Sequence, residues 1–286
     1  MATVYRARDH RLERDVALKV MHPHLRGARE ARQRFAREAR TVARLRHPGI
    51  IAIFDYSGED SSDSYIATEL LTGPTLKDYI DAAAPLPIEV AVAFTLAVAE
   101  ALAAAHAQGV IHRDIKPENI LLHERREVKL SDFGIAQLAG GQTLTATGQI
   151  LGSPGHMAPE HLRGADCDAR SDLFSLGTVL YHLCTGQLPF DGSNPHQILT
   201  RVIEGDYIDP LRLRPDIGSG LQRVIQQLLA PSPTERYASA TALIADLQAF
   251  LQQSGVDDGA ALLRAYLQDP AREGPRLRQQ SIRHLL

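Results

Sequence analysis

Near the start of the chain, apolar and polar positions alternate with a period of two in four short stretches: TVYRARD at 3–9, DVALKVM at 15–21, IIAIFDY at 50–56 and SYIATELL at 64–71. Successive side chains of a strand point to opposite faces, so this pattern predicts four strands. Between the second and third the period lengthens to that of a helix over about 28–46. Phe35, Glu38, Val42 and Leu45 share one of its faces, and eight arginines (26, 29, 32, 34, 37, 40, 44 and 46) mostly occupy the other. From 75 to 252 helical spacing dominates, with short β pieces near 119–131. The expected architecture is α+β: a small β-rich lobe at 1–71 and a larger helical lobe at 72–252. They join at LLTGPTL, 70–76, where Gly73-Pro74 breaks the strand and Thr75 caps the next helix. A cleft between two lobes is the default ligand site.

The most apolar stretch, IEVAVAFTLAVAEALAAAHA at 88–107, has only ten residues between Glu89 and Glu100. A bilayer span needs ~20 consecutive apolar residues, so this is expected as a buried core helix and no membrane segment is expected. ARSDLFSLGTVLYHLCTG at 169–186 reads as a second core helix with Asp172 in its first turn. Residues 253–286 read as a flexible joint, SGVDDG, followed by amphipathic helices that either cap the helical lobe or recruit a partner.

Composition narrows the classes. The 286 residues are 44% apolar, enough for a sizeable core. A net charge of −3 and a pI near 6.5 leave no global field for nucleic acid or an anionic membrane, so the arginine face reads as solvated and no nucleic-acid partner is expected. Two cysteines, Cys167 and Cys184, are too few for a disulfide framework, and no signal-peptide pattern opens the chain; a cytoplasmic location is expected.

Several polar residues fit these elements poorly. Lys19 sits in the aliphatic strand DVALKV and needs a counter-charge unless it faces solvent; Glu38, turned to the apolar helix face, is a partner for it. HRDIKPEN at 112–119 crowds charge and hydrogen-bonding capacity between two apolar runs. In KLSDFGIA at 129–136, Asp132 follows a short strand and precedes Gly134, where the chain can turn and expose the carboxylate. The long Gly- and Thr-rich segment between Phe133 and Ala158 is of a length that is usually functional or disordered.

HRDIKPEN, DFG at 132–134, APE at 158–160 and VALK at 16–19, all in order, resemble the signature set of protein kinases, most closely the bacterial eukaryotic-like (Hanks-type) serine/threonine kinases. The resemblance covers residues 1 to about 252. It implies a bilobal kinase fold and transfer of the ATP γ-phosphate to Ser or Thr hydroxyls of protein substrates, with magnesium, or manganese in its place, as the ion. Such transfer asks for positioning and charge neutralisation rather than covalent chemistry. By resemblance Asp114 accepts the substrate hydroxyl proton, Lys116 steadies the γ-phosphate, Asn119 and Asp132 hold the metal, and Lys19 contacts the α- and β-phosphates, fixed by Glu38. Val4 and Ala17 resemble the roof over adenine and Leu121 its floor; Thr68 sits at the gatekeeper position, and Glu69 to Leu71 form the hinge. His112, Phe133 and Val42 resemble the hydrophobic stack that aligns the lobes, Glu160 is expected to pair with Arg236, and Asp172 to brace the catalytic loop. Lys116 two residues after Asp114 marks Ser/Thr rather than Tyr specificity. Arg113 suggests control by activation-loop phosphate, with Thr145 and Thr147, and Thr143 behind them, as acceptors. A homodimer through the small lobe is a further expectation.

The departures are specific. The chain begins at MATVY, inside the second half of what would be the glycine-rich loop, so the fold is expected to lack its first strand and leading glycines. Each lost backbone N–H to phosphate costs about 1.5–3 kcal/mol. Either the start codon lies upstream of Met1, or the chain is a pseudokinase-like scaffold with impaired ATP binding; retention of Lys19, Glu38, Asp114, Asn119 and Asp132 favours the first. His156 stands where many relatives have Tyr, and Ser153 where Thr is commoner, which bears on peptide selection.

Overall fold

The computed structural model describes residues 2–22, 29–57, 64–124, 127–133 and 153–285, without the side chains of 29–31, 34, 37, 38 and 278–285. The small lobe is an antiparallel sheet of β1 (Ala2–Asp9), β2 (Arg14–Met21), β3 (Ile53–Tyr56) and β4 (Tyr65–Glu69), in the order β1-β2-β4-β3. Its register aligns Val4, Lys19 and Ile66 in one row and Arg6, Ala17 and Thr68 in another. Because the pleat repeats every two residues, Ala17 and Lys19 share a face with Thr68 and Ile66. Helix α1 (Arg29–Val42) buries Phe35 and Ala39 against Met21 and Ile66.

Helix α2 (Leu76–Ala83) opens the large lobe with the expected cap. Asp78 N–H donates to Thr75 Oγ1 at 3.1 Å, and Thr75 N–H donates back to the Asp78 carboxylate at 3.0 Å. The preceding Gly73 is required sterically: a Cβ there would lie 1.4 Å from the carbonyl oxygen of Leu122. Helix α3 (Ile88–Ala107) is long and apolar enough to cross a membrane, yet it runs through this lobe with 14 of its 20 residues buried. Around it lie the hairpin of β5 (Ile120–His123) and β6 (Glu127–Leu130), the short helix α4 (Pro159–Leu162), and α5 (Ala169–Thr185), capped by Asp168 and ended by left-handed Gly186. Helices α6 (Pro195–Glu204), α7 (Pro210–Leu213), α8 (Gly218–Leu228) and α9 (Ala240–Gln253) complete the lobe.

Beyond α9 the chain does not form the loose joint that its Gly and Asp content suggests. Ser254, Gly255 and Val256 donate backbone bonds to carbonyls of 250–252, and Asp258 caps α10 (Gly259–Gln268) through Ala261 N–H at 2.9 Å. Leu263, Tyr266, Leu267 and, from α11 (Pro270–Leu285), Leu277 then join the core of the large lobe, with Tyr266 set edge-on to Tyr79. The extension therefore covers α2 and α3.

Candidate active site

The two lobes enclose a cleft with about 850 Å³ of empty space, open to solvent. Val4 lines it from β1, Ala17 and Lys19 from β2, Thr68 and Glu69 from the end of β4, Leu71 from the segment that follows, Leu121 from β5, and Asp132 from the stretch after β6. All eight residues expected to contact a nucleotide thus share one cavity. Val4 is 60% exposed, so the cleft is open above it. The Thr68 hydroxyl donates to the carbonyl of Glu69 at 3.1 Å, which fixes its rotamer.

The polar loop at 112–119 is held from below. Asp172, 1% exposed at the start of α5, accepts the backbone N–H of His112 at 2.8 Å and of Arg113 at 2.7 Å. These bonds hold Arg113 in the left-handed region, φ +68°, where a non-glycine residue persists only if its surroundings over-determine it. His112 is fully buried, and that burial pushes its pKa below the usual 6.5 and keeps the ring neutral. Its Nδ1 accepts Asp114 N–H at 3.3 Å, so Nε2 carries the hydrogen and donates it to the Ser131 carbonyl at 3.0 Å. The ring also packs on Phe133 with centroids 4.4 Å apart, and Val42 lies in the same apolar cluster as Phe133.

Above this base the chemistry-bearing side chains converge. Asp114 receives Lys116 Nζ at 2.8 and 3.0 Å, and Asn119 Nδ2 donates at 2.8 Å to both its carboxylate and its carbonyl. Asn119 is tied to the next strand by Ser131 N–H, which donates to its carbonyl at 2.9 Å. One residue on, Asp132 has φ +54° and turns its carboxylate to Lys19 Nζ at 2.5 Å. Lys19 is thus joined to Asp132; the side chain of Glu38, its expected partner, lies outside the described residues, as do Thr143, Thr145 and Thr147.

Glu160 meets Arg236 in a buried two-pronged pair at 2.7 and 2.8 Å, supported by the Ser171 hydroxyl at 2.7 Å. Burial pushes the carboxyl up, but hydrogen bonds from Arg236 and Ser171 outweigh it, leaving the pKa lowered. His156 is buried beside α5. The Thr178 hydroxyl donates to the Ser175 carbonyl at 2.6 Å, so it accepts from His156 Nδ1–H, also at 2.6 Å. Burial, with His182 and Lys116 nearby, pushes the His156 pKa down to about 3.

A pH dependence follows. His47, His112, His156, His161 and His182 are all held below 6.5, with burial the largest cause for each. Below 6.5 the unfolded chain binds protons that the folded chain refuses, so stability falls as pH drops, for His156 until about 3. Each fully shifted histidine contributes about 1.4 kcal/mol per pH unit. Urea unfolding between pH 7 and 5 is expected to show this loss, and His156→Phe to reduce the proton uptake on unfolding by about one; an unchanged uptake would contradict a neutral His156.

Four contributors escaped the sequence reading. His106, at the end of α3, bonds Asp172 Oδ2 through Nε2 at 2.8 Å, and its signal was a lone polar side chain in an alanine-rich run six residues before His112. Ser131 and Thr178 act through atoms that periodicity does not reveal. Lys129 pairs with Glu69, whose side chain turns away from the solvent-facing hinge.

The donor set fits a nucleoside triphosphate with a hard divalent cation. Val4, Ala17 and Leu121 give apolar surfaces above and below a slot suited to a flat ring. Asp132 offers carboxylate oxygens, and Asn119, with Nδ2 committed to Asp114, offers Oδ1. Among the described residues no group of three or more His, Cys, Asp and Glu is suited to a metal, so Asp132 and Asn119 would hold the ion together with the phosphates.

Comparison with known proteins agrees with this arrangement. A probable serine/threonine-protein kinase of Clostridium perfringens is 38% identical over 248 residues, which cover 87% of this chain and 36% of that relative. Serine/threonine-protein kinase PknL of Mycobacterium tuberculosis is 37% identical over 252 residues, 88% of this chain and 63% of that relative. The chain therefore spans only part of the length of these relatives. The crystal structure of the Mycobacterium tuberculosis PknI kinase domain superposes with a TM-score of 0.67 at 30% identity, covering 87% of this chain and 90% of that one. The protein kinase domain family matches residues 1–247, a stretch that includes the small lobe, the whole cleft and the large lobe as far as α9; the chain belongs to that family.

Proposed function

We propose that this chain is an ATP- and magnesium-dependent serine/threonine protein kinase of the bacterial Hanks type that acts in the cytoplasm and phosphorylates its own activation loop. The observation that carries the reading is the bonded cluster of Asp114, Lys116 and Asn119 beside a cleft lined by the paired Lys19 and Asp132. Asp114 orients a substrate hydroxyl and takes its proton, its carboxylate kept in place by Asn119. Lys116, already beside that carboxylate, meets the charge of the transferred group. Lys19 and Asp132 separate from one another to serve phosphate and metal respectively. Magnesium, when bound, neutralises charge on the phosphate oxygens. His112 and Asp172 position the loop and take no part in the transfer.

The test is transfer of labelled γ-phosphate from ATP, with magnesium or manganese, to the chain itself and to a generic basic protein. Label in both is expected, on Ser and Thr only, and peptide mapping is expected to find phosphate on Thr145 or Thr147. Silence with either metal would sink the reading, and an active chain with an unmodified loop would remove the part that concerns Thr145 and Thr147.

A further inference from the structure

Lys129 is an oddity that the catalytic arrangement leaves unused. It lies in β6 between Val128 and Leu130, is only 8% exposed, and no catalytic group touches it. Its Nζ sits 3.1 and 3.0 Å from the two carboxylate oxygens of Glu69, while Glu127 stands 3.7 Å away at the exposed rim. Glu69 Oε1 also accepts the backbone N–H of Ala52 at 2.8 Å.

A buried pair of this kind is poor evidence of stability, because well-packed apolar residues in its place often serve as well or better. Its placement is the informative part. Glu69 ends β4 and begins the segment that joins the lobes, whereas Lys129 belongs to the hairpin of the large lobe. In that hairpin Lys129 stands opposite Leu121, and opposed residues of paired strands share a face, so Lys129 rises on the side of the cleft floor. The same strand is tied to the entry of β3: Leu130 N–H donates to Gly49 at 2.8 Å, and Ile51 N–H donates to Leu130 at 2.9 Å. The joining segment, the 49–52 stretch and the floor hairpin thus form one bonded unit, with the Glu69 carboxylate at its centre.

We infer that Lys129 and Glu69 are a positioning pair that fixes the height of the joining segment above Leu121 and so sets the affinity of the cleft for a nucleotide. This rests on the reading of the cleft as a nucleotide site. Lys129 touches no ligand; it acts through Glu69, whose backbone lies at the cleft edge.

Lys129→Met fills similar volume and removes the ion pair. Titration of the full chain with Mg-ADP is expected to show affinity reduced by about five- to twentyfold, the loss of preorganisation. Lys129→Arg, which can still pair, is expected to bind within about twofold of wild type. At saturating ATP, turnover of Lys129→Met should stay near wild type while KM for ATP rises, a split between KM and kcat that lost stability alone does not produce. If Lys129→Met fails to fold, Glu69→Gln, which keeps an acceptor for Ala52 N–H, is expected to show the same loss. Wild type that binds Mg-ADP no better than its Lys129→Met variant overturns the positioning role alone; wild type that does not bind it at all overturns the nucleotide site and the inference with it.

Discussion

Asp114→Asn is expected to lower turnover by about 10²- to 10⁴-fold, the usual contribution of a positioned general base. The substitution is isosteric, so the loop held by Asp172 and His112 keeps its path. What changes is the ability to accept a proton and the match to its neighbours. Asp114 receives donors on both oxygens, from Lys116 Nζ and Asn119 Nδ2. An amide oxygen in the place of Oδ2 keeps both donors, but its NH2 then stands where Oδ1 was, and Lys116 loses its second contact. Because Asp114 does not line the cleft where the nucleotide is proposed to lie, KM for ATP is expected to change by no more than about twofold, confining the defect to kcat. Steady-state kinetics decides the matter: a variant within tenfold of wild type in kcat is incompatible with Asp114 as the base.

The second large effect is on stability. Arg236→Ala is expected to cost about 3–5 kcal/mol, the penalty for breaking a buried ion pair from one side. The Arg236 side chain is 0% exposed, and every one of its N–H donors is used: two bond Glu160, and the others bond the carbonyls of Ala230 at 2.7 Å, Arg170 at 3.2 Å and Pro231 at 3.1 Å. The guanidinium also lies 4.8 Å from the centre of the Phe174 ring. Removing it leaves Glu160 buried with Ser171 alone and takes a donor from the carbonyls of Ala230, Arg170 and Pro231. A domain commonly has only about 5–15 kcal/mol of stability, so a large share would be lost. Lys in its place has three donors and no planar fork, and is not expected to rescue. Urea unfolding at pH 7 gives the measurement, and a loss below about 1 kcal/mol would contradict the network. The pH dependence has a definite sign. Glu160 has a lowered pKa in the folded chain, so its contribution is present above the ordinary carboxylate value of 4.5 and is lost as pH falls through the folded value. Arg236→Ala should abolish that acid-range dependence.

Much of this protein is legible in its sequence. The period-two stretches define four strands of the small lobe, the change of period defines α1, and Thr75 marks the start of α2 as its capping box requires. Asp114, Asn119 and Asp132 could be singled out because such polar residues beside buried strands demand a reason, and the order of their motifs supplied one. The strands, the helix and the cap are read from residues close together in the chain, where backbone geometry alone determines which side chains share a face; the polar site residues are read from the order of motifs along the chain.

The tertiary structure decided what depends on residues far apart. Helix α3 is expected from Glu89 and Glu100 to be a core helix, but which elements cover its apolar surface, namely β6, α5, α9 and α10, is set by the packing. The segment after α9 looks loose in composition, yet Leu263 and Tyr266 bring it into the core. His106 with Asp172, His156 with Thr178 and Lys129 with Glu69 are pairs whose members lie in different elements; none has a spacing that marks it. Their common reason is the energetic cost of buried polar groups. A side chain taken out of water must find a partner, and which partner lies within reach is set by the packing of apolar elements rather than by any local pattern.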